Sequence, residues 1–294
     1  MAELLAQSPE IFVLIAFLFA LLVGSFLNVV IYRLPIMMFR EWHEQCKELQ
    51  EAETPTIPEQ PFNLVVPRSA CPNCGNQIKA WQNIPVVSYM LLRGRCSGCQ
   101  QKISARYPVV EFLTAVLAAI CALRMGFGLE ALMAIGLTFA LVAISMIDYD
   151  HQLIPDSIVL PLLWVGLTMS LFHQSVAGSF LFVSPTDSII GAIAGYLSLW
   201  SVYKVFKLLT GKEGMGYGDF KLLAALGAWL GWQSLHLVIL LSAVVGALFG
   251  IAMIVFRGRD RQLPIPFGPY LAAAGWVTML WGEQIWNAYL DKFA

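Results

Sequence analysis

Three groups of residues in this chain have the types and spacing that chemistry requires. The first is Gly214-Met215-Gly216-Tyr217-Gly218-Asp219-Phe220-Lys221, a glycine-rich turn that ends on an aspartate and leads into apolar sequence. Its glycines let the backbone approach another chain closely. A carboxylate where water meets an apolar segment is costly, so it marks a candidate functional position. The second group is Ile147-Asp148-Tyr149-Asp150-His151-Gln152-Leu153-Ile154-Pro155-Asp156, which also follows an apolar run. Two carboxylates at one site can share a proton. The ionised one activates water, and the protonated one donates to a carbonyl oxygen or leaving amine. That is aspartyl protease chemistry, and it requires both acids on one face of a membrane. The third group is the cysteine pairs Cys71-Pro72-Asn73-Cys74 and Cys96-Ser97-Gly98-Cys99.

Three aspartates compete to partner Asp219. Asp148 directly continues the apolar run and so sits deepest, Asp150 lies further out, and Asp156 suits the first turn of the next helix. The expected pair is therefore Asp148 and Asp219. Plainer roles compete with it. Asp219 could simply cap a helix, Asp148 could be an interfacial loop acid, and both could line an ion pathway in a transporter. Transporter acids usually sit nearer the midplane on broken helices, whereas both of these lie at helix ends.

Each CxxC pair can present two thiolates from a tight turn, and 21 residues separate the pairs. Cys71, Cys74, Cys96 and Cys99 together complete a tetrahedral Zn²⁺ site. A disulfide or redox pair is the competing reading. With four cysteine ligands and no position left for water, the expected zinc is structural. Cys46 and Cys121 have no such spacing, and Cys121 reads as a small apolar residue within a helix.

The elements that must position these groups are apolar helices. The 294 residues are 58% hydrophobic and only 13% charged, with a net charge of -1. Soluble domains carry about 25% charged residues, so an integral membrane protein is indicated and nucleic acid is not an indicated partner. Eight apolar runs approach the length of about 20 residues that crosses a bilayer. They are residues 11–32, 109–123, 129–147, 157–172, 188–206, 220–232, 235–256 and 267–289. The sixth is short enough to be a partial or tilted helix. The expected architecture is an all-α polytopic membrane protein of about eight transmembrane helices. Its parts are a first transmembrane helix (1–33), a zinc-stapled cytoplasmic domain (34–107) and a transmembrane aspartyl protease domain (108–294). The middle part contains a proline-bearing linker with Pro55, Pro58, Pro61 and Pro67. An N-terminus outside puts nearly every Lys and Arg on the inner side, leaving Arg124 and Lys292 outside. The same count places Asp148 and Asp219 on the inner face.

Smaller features remain. Ser25 and Asn28 in the first helix suit helix packing through small and polar residues better than catalysis. Glu111, near the start of the second helix, is either functional or reaches back to Arg106 and the headgroups. Trp42, Trp81, Trp232, Trp276, Trp281 and Trp286 mostly suit interfacial anchoring.

Gly216-Tyr217-Gly218-Asp219 matches the GxGD motif of membrane aspartyl proteases, and the whole chain resembles the bacterial type IV prepilin peptidases. The likeness rests on Gly24-Ser25-Phe26-Leu27-Asn28-Val29-Val30, Arg33-Leu34-Pro35, both CxxC pairs and Arg106-Tyr107-Pro108-Val109-Val110-Glu111. It also covers residues 147–156, residues 211–221 and Pro266-Phe267-Gly268-Pro269-Tyr270. The resemblance implies a multi-pass enzyme of the bacterial inner membrane with its site on the cytoplasmic face. It would remove the leader from type IV prepilins or type II secretion pseudopilins, then methylate the new N-terminus with S-adenosylmethionine. It maps the catalytic aspartates onto Asp148 and Asp219. No residue reads as an S-adenosylmethionine site. A transporter or proton channel using the same acids is the alternative.

Overall fold

The computed structural model describes residues 2–49, 61–173, 183–257 and 266–293. Among them there are ten α-helices and no strand, only two isolated antiparallel bridges, Ala70 with Gln77 and Arg95 with Lys102. The helices are α1 (Ala2–Gln7), α2 (Pro9–Leu49), α3 (Val87–Leu91), α4 (Arg106–Met125), α5 (Leu129–His151), α6 (Asp156–Ser170), α7 (Pro185–Thr210), α8 (Tyr217–Leu230), α9 (Leu235–Arg257) and α10 (Gly268–Phe293). Every one of the eight apolar runs is helical. Five spans among the described residues are long and apolar enough to cross a membrane: Pro9–Lys47, Arg106–Met125, Leu129–His151, Pro185–Thr210 and Trp232–Met253. The chain is a multi-pass membrane protein. Pro55 and Pro58 of the linker lie outside the described residues.

The chain divides into two compact units, residues 1–127 and 128–294. In the first, α2 packs along α4. A Cβ on Gly24 of α2 would come 2.8 Å from the Cα of Glu111 on α4, so glycine lets the backbones meet. The first helix continues well past the apolar run that ends near Tyr32, through Pro35 to Leu49. Beyond Pro35 the sequence is rich in Met, Arg, Glu, Lys and Leu, which sustain helix without an apolar surface around them.

The second unit is built around α8. From Phe220 to Leu230 every residue except Lys221 is buried, as expected of a helix apolar on all sides. The short sixth run is thus an internal helix. α7 covers one side, with Gly191 against Gly227 and Gly195 against the Leu223 carbonyl, positions where a Cβ would strike backbone. Side chains complete the attachment. Ser188 Oγ donates to the Ala228 carbonyl at 2.7 Å, and Trp229 Nε1 donates to the Leu162 carbonyl of α6 at 2.8 Å. On the far side, Trp276 Nε1 of α10 donates to Thr138 Oγ1 of α5 at 3.0 Å.

Candidate active site

Asp148 lies in the last turn of α5, which closes with Gln152 in the left-handed conformation and its N–H on the Asp148 carbonyl. Of the three aspartates in this loop region, Asp148 is buried and Asp150 and Asp156 are exposed. One Asp148 carboxylate oxygen, Oδ2, accepts the backbone N–H of Gly268 at 2.9 Å. Gly268 is the first residue of α10, and a Cβ there would sit 2.6 Å from that oxygen. Only glycine lets the carboxylate approach the amide this closely.

Asp219 lies in the first turn of α8. Gly216 is the N-cap and no side chain caps the helix, so Asp219 does not serve as the cap. It is 7% exposed, and its Oδ1 has no hydrogen-bond partner. A buried carboxylate oxygen without a partner loses the free energy of its hydration, and it is available to a water or a substrate group. The Gly268 that binds Asp148 and the Gly218 that precedes Asp219 both pack on Ile154, so the two carboxylates border one region. Such a pair holds one proton between its members more readily than it ionises fully.

Ile154 sets the spacing of this arrangement. It is buried against two glycines. A Cβ on Gly218 would fall 2.7 Å from Ile154 Cβ, and one on Gly268 would fall 3.1 Å from Ile154 Cδ1. The segment between α5 and α6 is therefore wedged between the start of α8 and the start of α10. Lys221 Nζ reaches both carboxylate oxygens of Asp156 at 2.7 Å, tying α8 to α6 one turn from the site. Tyr217 and Phe220 pack against Tyr203 of α7 with ring centroids 5.6 Å apart in both cases. The supporting roles of Gly268, Ile154 and Lys221 are not readable from residue type, although all three fall in stretches that carry the family likeness. A glycine directly before a proline at a helix start is the nearest hint.

In the first unit the four cysteine sulfurs lie within 4.8 Å of one another and none is in a disulfide. Cys71 and Cys99 sulfurs are 3.8 Å apart, and Cys74 and Cys96 are 3.9 Å apart. A tetrahedron of Zn–S bonds of about 2.3 Å has edges of about 3.8 Å, so the cluster has the dimensions to hold a metal. The two knuckles are built alike. Gly75 N–H bonds to the Cys71 carbonyl at 2.9 Å and Gln100 N–H to the Cys96 carbonyl at 3.0 Å, with Gly75 and Gln100 at positive φ. The Gln101 amide and then the Asn73 side chain hold the Cys99 thiol down at about 6. Cys71 is lowered by the amides of Cys74 and Asn73. For Cys74 the Asn76 amide acts downward, but the neighbouring Cys99 sulfur and desolvation prevail and push it up to about 11.

The smaller sequence features fall into structural places in this unit. Asn28 Nδ2 donates to the Tyr107 carbonyl at 3.1 Å, a helix–helix contact. Glu111 is buried and accepts the Val86 N–H at 2.8 Å, so it faces the cysteine-bearing segment. Cys121 is fully buried within α4.

The family description "Bacterial Peptidase A24 N-terminal domain" matches residues 18–125, and "Type IV leader peptidase family" matches residues 134–251. Proteins called prepilin leader peptidase/N-methyltransferase are similar along nearly the whole chain. The one from Aeromonas hydrophila is 54% identical over 291 residues, covering 99% of this chain and 98% of that protein. The one from Stutzerimonas stutzeri is 55% identical over 293 residues, covering 98% of this chain and 97% of that protein. The one from Pseudomonas aeruginosa is 54% identical over 289 residues, covering 98% and 97%. No solved structure matches.

Proposed function

The chain belongs to the type IV leader peptidase family, and on that premise we propose how it acts and with which residues. It is a membrane prepilin peptidase and N-methyltransferase. Asp148 and Asp219 are its catalytic pair. What supports this assignment is that both carboxylates are buried at helix ends from distant parts of the second unit, that the glycine beside each packs on Ile154, and that one Asp219 oxygen is unpartnered.

In the resting enzyme the pair holds one proton. The ionised member takes a proton from a water molecule as its oxygen attacks the scissile carbonyl carbon. The protonated member gives its proton to the carbonyl oxygen. A tetrahedral diol forms; on its collapse the C–N bond breaks, the amine leaves with the proton from the first aspartate, and a diol hydroxyl returns its proton to the second. The pair ends with one proton again. The Gly268 amide keeps the Asp148 carboxylate oriented throughout. Helix ends, rather than a midplane break, suit a peptide that reaches the site from the membrane edge, and this favours hydrolysis over transport.

The substrates are type IV prepilins or pseudopilins, whose apolar segment can lie in the bilayer beside the enzyme. The enzyme sits in a bacterial inner membrane, and the distribution of Lys and Arg supports a site facing the cytoplasm. Cys71, Cys74, Cys96 and Cys99 hold a structural Zn²⁺, which the tetrahedral sulfur spacing favours. S-adenosylmethionine supplies the methyl group in the second activity.

The test is direct. Purified protein is incubated with a prepilin and S-adenosylmethionine, and the product is analysed by mass. A shortened, N-methylated chain is expected, and neither Asp148→Asn nor Asp219→Asn should release it. Full leader removal by either variant overturns the assignment.

A further inference from the structure

Residues 61–105 contain Arg68, Lys79, Arg93, Arg95 and Lys102 and no Asp or Glu. All five cations are exposed. Four thiolates around a divalent metal remove only two charges, so the segment stays cationic. The same surface is apolar. Trp81, Ile84, Val87, Met90 and Leu91 are 49%, 47%, 44%, 63% and 69% exposed. Trp81 lies in the 3₁₀ turn Ala80–Asn83, Ile84 caps that turn, and Val87, Met90 and Leu91 belong to α3, where Ser88 is buried. Within α3 the i, i+3, i+4 spacing puts Val87, Met90 and Leu91 on one stripe, which Trp81 and Ile84 precede in the chain. A protein surface facing only water rarely keeps such a cluster open.

The tethers of this segment fix its level. Val86, the residue before α3, donates its N–H to Glu111 at 2.8 Å. Glu111 is five residues into α4, or about 7.5 Å along an apolar helix that can cross a membrane. Around it Tyr107, Val109 and Phe112 are exposed, as lipid-facing side chains would be. Arg33 of α2 holds the Asn63 and Pro67 carbonyls at 2.8 and 2.7 Å, fixing the start of the segment to the other helix. The stripe thus begins beside the first two turns of α4, not out in water.

We propose that this face of residues 61–105 is a lipid-binding surface, with Trp81, Ile84, Val87, Met90 and Leu91 set among the headgroups and Lys79, Arg93 and Arg95 on anionic phospholipid. An apolar stripe flanked by Lys and Arg is the composition that interfacial elements use. Charge complementarity selects an anionic lipid surface over a second copy of this basic segment.

The experiment places the photoreactive residue benzoylphenylalanine at position 90 of the full chain. The protein is reconstituted in phosphatidylethanolamine liposomes with or without phosphatidylglycerol, irradiated and weighed. A phospholipid adduct is expected, enriched about fivefold or more by phosphatidylglycerol. R93Q/R95Q should abolish that enrichment while metal content stays the same. No lipid adduct, an adduct indifferent to phosphatidylglycerol, or a crosslink to a second protein chain instead overturns the proposal. If the probe disturbs folding, the unmodified protein serves. Acyl-brominated lipid should quench a tryptophan component that Trp81→Phe removes, and the absence of that component is equally decisive.

Discussion

The two units bring polar side chains to the ends of apolar helices by different means. In residues 61–105 of the first unit most side chains are exposed and Cys96 is among the few apolar ones buried. Too little apolar surface is removed from water there to offset the chain entropy of ordering it. Four sulfurs stand there at tetrahedral spacing with a backbone knuckle under each pair, and a metal bound by them would supply the missing constraint. In the second unit α8 is encased. Order comes from backbone contact at Gly191 and Gly227 and from indole N–H donors, as helices without a hydrophobic drive between them require. The first unit offers a metal its ligands where the second relies on shape.

The largest effect should separate chemistry from folding within the second unit. Asp148→Asn and Asp219→Asn should each lower prepilin cleavage by at least about 10³-fold, with no loss of thermal stability. Asparagine keeps the size of aspartate and an accepting oxygen while removing a buried acid, so a large drop in melting temperature would mark the acids as structural instead. Next, Gly227→Leu should destabilise the second unit by about 3 kcal/mol or more, because its side chain meets the backbone of Gly191. Metal content of the first unit should not change. If metal is lost as well, the two units do not fold separately.

Chelation, or Cys96→Ser, should do the reverse and open residues 61–105 to limited proteolysis while the second unit's melting transition stays in place. Metal affinity should also fall with pH, because protons compete for thiolates. Cys74, pushed up to about 11, must lose its proton to bind, at a cost of about tenfold in affinity per pH unit below that value. Cys99, held at about 6, adds to the slope only below that pH. Competition against a colorimetric chelator from pH 8 to pH 5 would read both. Smaller still, Trp229→Phe removes the side-chain donor to the Leu162 carbonyl within α6 and should cost about 0.5–1.5 kcal/mol by chemical denaturation. The smallest effect belongs to Lys221→Met. Its ion pair with Asp156 is 30% and 52% exposed at the two side chains, so stability should change by less than about 1 kcal/mol.

Much of this was legible from local pattern. Apolar runs identify α4 to α10 to within a few residues, because a segment that meets lipid must satisfy its backbone internally and has only the helix to do it with. CxxC spacing points to the metal cluster, since two sulfurs three residues apart on a tight turn have few other uses. Less legible was α2, which runs on to Leu49 where hydropathy ends near Tyr32. Hydropathy reports the bilayer, not the end of a helix.

From the sequence alone come the membrane class, the helical composition, the four cysteines and Asp148 and Asp219 as the acids at helix ends. These follow from composition and from spacing along the chain. The tertiary structure alone decided that α8 is an internal helix, that Ile154 is wedged between Gly218 and Gly268, that the Gly268 amide holds Asp148, and that Glu111 holds Val86. Those contacts join residues far apart in sequence, and their energy depends on close approach in space, which no local pattern encodes.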